Sequence, residues 1–149
     1  MRSSDREEIE VAFKALATAM DAVLELDFTA VTTPERLALL QRCEKLRRQL
    51  PAVEHPLINQ IANQSAPIEL GGRLSHRLAD DLRITRAEAN RRIHDAADLG
   101  PRHNMQGQAL PPIRPATATA QRDGQLNTEH IAVIGKFFKL LPDGVPVGE

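Results

Sequence analysis

Residues 74–100 constrain the fold of this chain more than any other stretch. From Leu74 a leucine recurs at every fourth position as far as Leu82, which is the spacing of one face of a short helix. Thr85 followed three residues later by Glu88 is a capping box, in which each side chain accepts the other residue's amide. The pattern therefore predicts a short helix, a three-residue corner and the start of a second helix.

The second helix is predicted to have one small apolar face and to end at Gly100. That face holds Ala89, Ile93 and Ala96, while Ile84 lies in the corner between the two helices. Two short helices with an apolar plug between them are typical of a helix-turn-helix unit. Helical corners without any nucleic-acid role have the same pattern, so this motif alone does not decide the function.

Composition favours an all-α fold. The 149 residues include no Trp, no Tyr and four Phe, and helix-forming residues replace the β-branched and aromatic runs of strands. A chain of this length is about one domain. We therefore expect a single helical domain over residues 1–142 and a flexible C-terminal tail over 143–149.

Two long amphipathic stretches precede the central corner. Ser4 or Asp5 caps the first, and Thr33 caps the second with Pro34 at its first position. Apolar residues recur at heptad spacing in both stretches. In the first they are Ile9, Phe13, Leu16, Met20 and Val23. In the second they are Leu39, Cys43, Leu46, Leu50, Val53, Leu57 and Ile61.

These stripes predict a long antiparallel helix pair, although two copies of the chain would bury the same residues in a dimer. Pro51 and Pro56 lie inside the second stripe without changing its phase. Because proline disrupts a helix interior, we expect this helix to be kinked or briefly broken near Leu50 and then to resume. Cys43 lies on the stripe and is expected to be a buried thiol.

Downstream of the corner, residues 101–115 contain four prolines and predict an irregular surface crossing. A short helix then starts at Ala116 and ends at Gly124, and Asn127 or Thr128 caps the last helix. The predicted fold is therefore all-α, with a long N-terminal antiparallel helix pair followed by two helix-turn-helix-like αα-corners.

No catalytic or metal-binding pattern is found in the sequence. The one cysteine and five histidines do not occur at metal-ligand spacing, and there is no phosphate-binding glycine loop. We expect no enzyme activity, no cofactor and no small-molecule substrate. The acidic N-terminus is unlike a signal peptide and no apolar run reaches membrane-span length, so a cytoplasmic protein without a membrane partner is expected.

Charge is unevenly distributed, although the net charge is only −1. Residues 1–27 contain three basic and seven acidic side chains, a net of −4. Residues 73–92 contain six arginines against three acids, a net of +3. The basic side chains are therefore concentrated around the central corner.

The helical step of the second helix turns several polar residues away from its apolar face. Arg and Asn are the side chains that bind guanine and adenine edges, and further arginines are expected to bind phosphates. Asp95 and Asp98 lie on the same outward face and would repel a phosphate backbone. The predicted DNA-binding residues are Arg73, Arg77, Arg83, Arg86, Asn90, Arg91 and His94.

Several ordered blocks of this sequence resemble a known family. They include LRRQL and VEHPLINQIANQ within residues 46–64, LADDLRITRAEANRRIHDAADLGPR over 78–102, and PATATAQRDGQLNTEHIAVI over 115–134. From about Leu37 to Pro142 the chain resembles the actinobacterial 13E12 repeat family, the domain-of-unknown-function family 222. The resemblance implies a helical domain that in many relatives precedes an HNH endonuclease module, in genes that often look like mobile-element DNA.

The clustered His and Asn residues of an HNH site are not present in this sequence. The His103–Asn104 pair lies alone in the proline-rich stretch. We therefore expect a non-catalytic helical domain of this nuclease-associated family that contacts duplex DNA through residues 73–94. The alternative is a helical self-association or protein-interaction domain, left by truncation, that does not bind DNA.

Overall fold

The computed structural model describes residues 4–65 and 67–142, whose regular secondary structure is helical except for one short β-hairpin. The all-α prediction is therefore confirmed, and the predicted tail over 143–149 lies outside the described residues. The helices are α1 (Arg6–Leu24), α2 (Thr33–Gln64), α3 (Pro67–Leu70), α4 (Leu74–Leu82), α5 (Arg86–Leu99), α6 (Pro115–Arg122) and α7 (Thr128–Leu140). The strands are β1 (Arg102–His103) and β2 (Ala109–Leu110).

The chain divides into two compact units, residues 1–40 and 41–149, with the boundary inside α2. In the first unit, Asp5 Oδ1 caps α1 by accepting the Glu8 amide at 2.7 Å. No residue of α1 is buried, and its predicted stripe is about half exposed, from 47% at Ile9 to 55% at Leu16. The antiparallel helix pair and the single domain over 1–142 stay predictions.

Thr32, rather than the predicted Thr33, caps α2. Its hydroxyl accepts the Glu35 amide at 3.4 Å, and Glu35 Oε2 accepts the Thr32 amide at 2.7 Å. Because Glu35 lies three residues after Thr32, these two residues form a capping box. Thr33 cannot form one with Glu35, because it is only two residues away. The amide and then the hydroxyl of Thr32 hold the pKa of Glu35 below its usual value.

α2 is continuous through both prolines, so it is not broken near Leu50, and a kink there stays a prediction. Each proline removes one amide donor, and the other bonds of a 32-residue helix hold it together. The buried residues of α2 are His55 and Ile58, whereas Leu50 and Leu57 of the predicted stripe are about half exposed. Cys43 is exposed as well, contrary to expectation, because it lies on this uncovered stripe.

The core of the second unit joins α2, α4 and α5. Ala89 and Ala96 are fully buried, and such small side chains let helices approach closely. The predicted apolar faces of the corner are confirmed, except that Leu82 is 49% exposed. The core residues are Ile58, Leu78, Ala79, Ala89 and Ala96, with Leu74, Ile84 and Ile93 packed against them.

Gly100 ends α5 as predicted, at a point of close packing. A Cβ here would collide with the Asn59 side chain and the Ala96 carbonyl. Asn59 Nδ2 donates to Ala96 O at 2.7 Å, which ties the end of α5 to α2.

The sequence predicts an irregular crossing over residues 101–115, but the structure contains a short β-hairpin there. β1 and β2 form an antiparallel hairpin in which Arg102 pairs with Leu110 and His103 with Ala109. Farther along, Asn127 caps α7 as predicted, since its side chain accepts the His130 amide at 2.9 Å. α6 and α7 thus follow in the predicted order, and their packing as a second corner stays a prediction.

Candidate nucleic-acid interface

The corner between α4 and α5 is built by three residues with distinct backbone roles. Arg83 ends α4 in the left-handed conformation, at φ 54° and ψ 44°. Ile84 donates its amide to Ala79 O at 3.0 Å, and Thr85 Oγ1 accepts the Glu88 amide at 3.1 Å to start α5. The corner is therefore closed by local hydrogen bonds.

Glu88 forms only half of the predicted capping box. Its carboxylate does not return to the Thr85 amide. It accepts instead from Arg91 Nε and Nη2 at 2.8 and 2.6 Å and from Arg92 Nε at 2.9 Å. These hydrogen bonds, from Arg91 above all, lower the pKa of Glu88 to about 2. The prediction failed because charged donors one turn away compete better than a backbone amide.

Arg91 is predicted to point outward, but in the structure it does not. Its Nη1 also donates to Asp95 Oδ2 at 2.6 Å, and its side chain is 35% exposed. It lies on the flank of α5 that faces α2, beside a cavity of about 240 Å³. The cavity is lined by Arg47, Leu50, Pro51, Glu54, His55, Glu88, Arg91, Arg92, Asp95 and Thr128.

The cavity lining balances three arginines against three carboxylates. Arg92 Nη1 lies 3.4 Å from Glu54 Oε2, which links α5 to α2. His55 is 4% exposed, and burial followed by the charge of Arg91 lowers its pKa to about 4. Burial raises the pKa of Asp95 even though Arg91 opposes this. The cluster holds two helices together and leaves no surplus of positive charge for a ligand.

The exposed face of α5 differs from the flank that carries Arg91 and lines the cavity. It consists of Arg86, Ala87, Asn90, His94 and Ala97, and it contains no carboxylate. We call these five residues the exposed face of α5.

Asp95 and Asp98, the two acids expected to oppose DNA, are both neutralised in the structure. Asp95 is bound by Arg91, and Asp98 by Arg114. Asn90 and His94 are exposed as predicted.

Three of the predicted phosphate-binding arginines differ from the fourth in their surroundings. Arg73, Arg83 and Arg86 are exposed and form no ion pair with another residue of the described ranges. Arg77, in contrast, donates from Nε to Asp81 Oδ2 at 2.6 Å. Of these three, Arg83 and Arg86 lie at the corner and Arg73 lies at the start of α4.

The described parts of the chain hold neither a metal-binding cluster nor a membrane-spanning helix. Residues 4–65 and 67–142 hold no group of three or more His, Cys, Asp or Glu residues that could bind a metal ion. None of the described helices is both long and apolar enough to cross a membrane.

The fold and this corner define an all-α protein in which two short helices meet at a tight corner and a β-hairpin follows. Residues 37–149 match the family described as "Domain of unknown function (DUF222)", and the chain belongs to this family. No solved structure matches the chain.

The curated relatives are mycobacterial proteins that are longer than this chain. Uncharacterized protein MT1160 of Mycobacterium tuberculosis (strain CDC 1551 / Oshkosh) is 58% identical over 142 residues, which cover 95% of this chain and 34% of the relative. Uncharacterized protein Mb1179c of Mycobacterium bovis (strain ATCC BAA-935 / AF2122/97) is 50% identical over 148 residues, 99% of this chain and 33% of the relative. The chain therefore spans about a third of the length of these relatives.

Proposed function

We propose that this chain contacts duplex DNA through α4, the corner and α5. The proposal rests on one observation: the exposed face of α5 has no carboxylate, and three arginines of α4, the corner and α5 have no ion-pair partner within residues 4–65 and 67–142. Asn90 faces adenine edges in the major groove, where a side-chain amide makes two hydrogen bonds to the base. Arg73, Arg83 and Arg86 bind phosphates and fix the register.

The backbone of Arg83 supports a functional role for its side chain. It is the only non-glycine residue with a positive φ in the part of the chain that the structure describes. An L-residue in this conformation costs about 1 kcal/mol or more, and glycine would avoid that cost. A strained residue kept at an exposed corner favours a role for its guanidinium group in binding.

Two other predicted contacts receive different roles in this proposal. Arg91 positions α5 through Glu88 and Asp95 and does not read a base. Arg77 must leave Asp81 before it can bind a phosphate, so its contribution is smaller than that of the three free arginines.

The proposal places the helical chain within a longer, cytoplasmic protein that meets DNA. Relatives about three times as long have room for a second module, and the family resemblance implies an HNH nuclease of mobile-element type there. In this proposal the helical part holds the duplex and performs no catalysis itself.

The variant Arg83→Gly tests the proposal because it separates binding from folding. We expect it to be as stable as the wild type or slightly more stable, since glycine relieves the left-handed strain. In a fluorescence titration of labelled duplex it should bind all sequences more weakly, with a salt slope lower by about one.

The matched control is Arg42→Gln, which removes an exposed arginine of α2. It should bind DNA as the wild type does. Equal affinity of Arg83→Gly and wild type for duplex would contradict the proposal.

A second candidate function is self-association, which the uncovered stripe of α1 favours. Its five heptad residues are about half exposed, and a second copy of α1 would cover them by knobs-into-holes packing. α1 has two basic and four acidic side chains, a net of −2, so two copies repel each other. Association should therefore strengthen with added salt, whereas DNA binding should weaken.

Sedimentation at low and high salt tests this second candidate. Leu16→Lys places a charge in the stripe and should abolish association, whereas Thr18→Lys adds the same charge on the opposite side of α1 and should not. A monomeric mass at every salt concentration, with DNA binding intact, would remove this candidate.

A further inference from the structure

The hairpin that follows α5 has a rigid tip. Asn104 organises it: its Oδ1 accepts the amides of Gln106 and Gln108 at 3.0 and 2.9 Å, and its Nδ2 donates to Gln108 Oε1 at 2.8 Å. Gly107 closes the turn with a φ of 78° and donates its amide to Asn104 O at 2.9 Å. The tip is therefore organised by hydrogen bonds within the hairpin itself.

This shape holds Met105 entirely in solvent. The residue is 102% exposed, the highest value among the large apolar residues described as exposed. Single exposed apolar residues need no explanation by themselves. Met105 differs because a hydrogen-bonded turn fixes it at the end of a projection, where an apolar side chain gains nothing from the fold.

The base of the hairpin is also fixed, and the hairpin itself contains no acidic residue. Arg102 Nε donates to Pro111 O at 2.9 Å, and Asn59 Nδ2 lies 3.4 Å from Pro101 O. Residues 101–113 contain one arginine, one histidine and no Asp or Glu, and Asp98, just before them, is bound by Arg114. Such a projection can approach a phosphate backbone without repulsion.

The hairpin projects beyond the end of α5. From Gly100 to Met105 the chain can span about 16 Å, at about 3.3 Å per residue.

We propose that the hairpin tip enters the minor groove next to α5 and that Met105 wedges between two base pairs. Apolar side chains such as methionine do this in proteins that bend DNA, and they unstack one step of the duplex. The partner is a duplex with a flexible pyrimidine–purine step, such as TA, where unstacking costs least. The Gln106 side chain, next to the wedge, suits the hydrogen-bond acceptors of A·T pairs in that groove.

This inference rests on the proposed DNA contact, and its test separates the two. The probe is a duplex of about 30 base pairs with a central TA step and a donor and an acceptor dye at its ends. We expect the wild type to shorten the distance between the dyes. Met105→Ala should bind roughly tenfold more weakly, remove the bend and leave the salt slope unchanged, because no charge is lost.

The control is Val133→Ala, which shortens an exposed apolar residue of α7 and should bind and bend as the wild type does. Circular dichroism should show all three proteins equally folded. Binding by the wild type without a bend, or an equal bend from Met105→Ala, would overturn the wedge and leave the DNA contact standing. A wild type that does not bind the duplex would overturn both.

Discussion

His55 is expected to make the stability of the protein fall by about 3 kcal/mol between pH 6.5 and pH 4. Burial, followed by the charge of Arg91, lowers its pKa from 6.5 to about 4. The unfolded chain thus binds a proton near pH 6.5, whereas the folded chain resists it until about pH 4, so acid favours unfolding throughout this range. Each unit of pKa corresponds to about 1.36 kcal/mol, which gives about 3 kcal/mol.

The carboxylates around the same cavity change the stability of the protein in another pH range or in the opposite direction. Glu88, with its pKa lowered from 4.5 to about 2, contributes stability that is lost only between those values. Asp95 has a raised pKa, so its protonation at acid pH favours the folded chain. Between pH 6.5 and 4.5 the loss of stability therefore comes from the histidine and not from these two carboxylates.

Urea unfolding of the wild type and of His55→Leu, followed by circular dichroism from pH 7 to pH 4, measures this effect. Leucine has a similar volume and no proton to bind. The difference in unfolding free energy should shift by about 3 kcal/mol in favour of the variant as the pH falls. Parallel curves for the two proteins would show that His55 is protonated in the folded chain, and the argument from burial would be refuted.

Three further predictions concern α5 and its flanks. Ile93→Asp should unfold the corner because it sets a charge against the core, whereas Ala97→Asp on the exposed face should keep the helical signal in circular dichroism. Arg91→Ala leaves Glu88 and Asp95 without their shared partner, and a urea titration should show a loss of about 1–3 kcal/mol. Glu88→Gln should make the free energy of unfolding depend less on pH between pH 4.5 and 2. If the free energy of unfolding of the variant fell as steeply as that of the wild type in this range, the assigned pKa of Glu88 would be contradicted.

Local signals in the sequence were sufficient for the central corner. The buried pair Ala89 and Ala96, the cap at Thr85 and the stop at Gly100 all follow from spacings within a few residues. The same holds for the cap of α7 at Asn127. Such features are predictable because neighbours in the chain determine them.

Contacts between distant segments could not be read from the sequence. Helical periodicity left Arg91 on the outward side, but the side chain turns to the flank facing α2, where Glu88 and Asp95 bind it. Likewise, periodicity predicts that the leucines of α2 are buried, whereas in the structure His55 is buried. The reason is that α2 packs against helices that lie later in the chain.

The hairpin was missed for another reason. Strands of two residues are too short for any alternation of apolar and polar positions. A turn signal was nevertheless present, since Asn104 followed by Gly107 is typical of a closed loop with a positive φ at the glycine. Because prolines surround this signal, the sequence pattern predicts irregular structure instead of a hairpin.

The salt dependence of duplex binding tests the central claim most directly. A fluorescence titration of the wild type on one duplex, from about 50 to 200 mM salt, gives the slope of log affinity against log salt. With Arg73, Arg83 and Arg86 on phosphates, the account predicts a slope of about −3, and a slope near zero when all three are changed to glutamine. A wild type without measurable affinity at the lowest salt, or a triple variant with the wild-type slope, would contradict it.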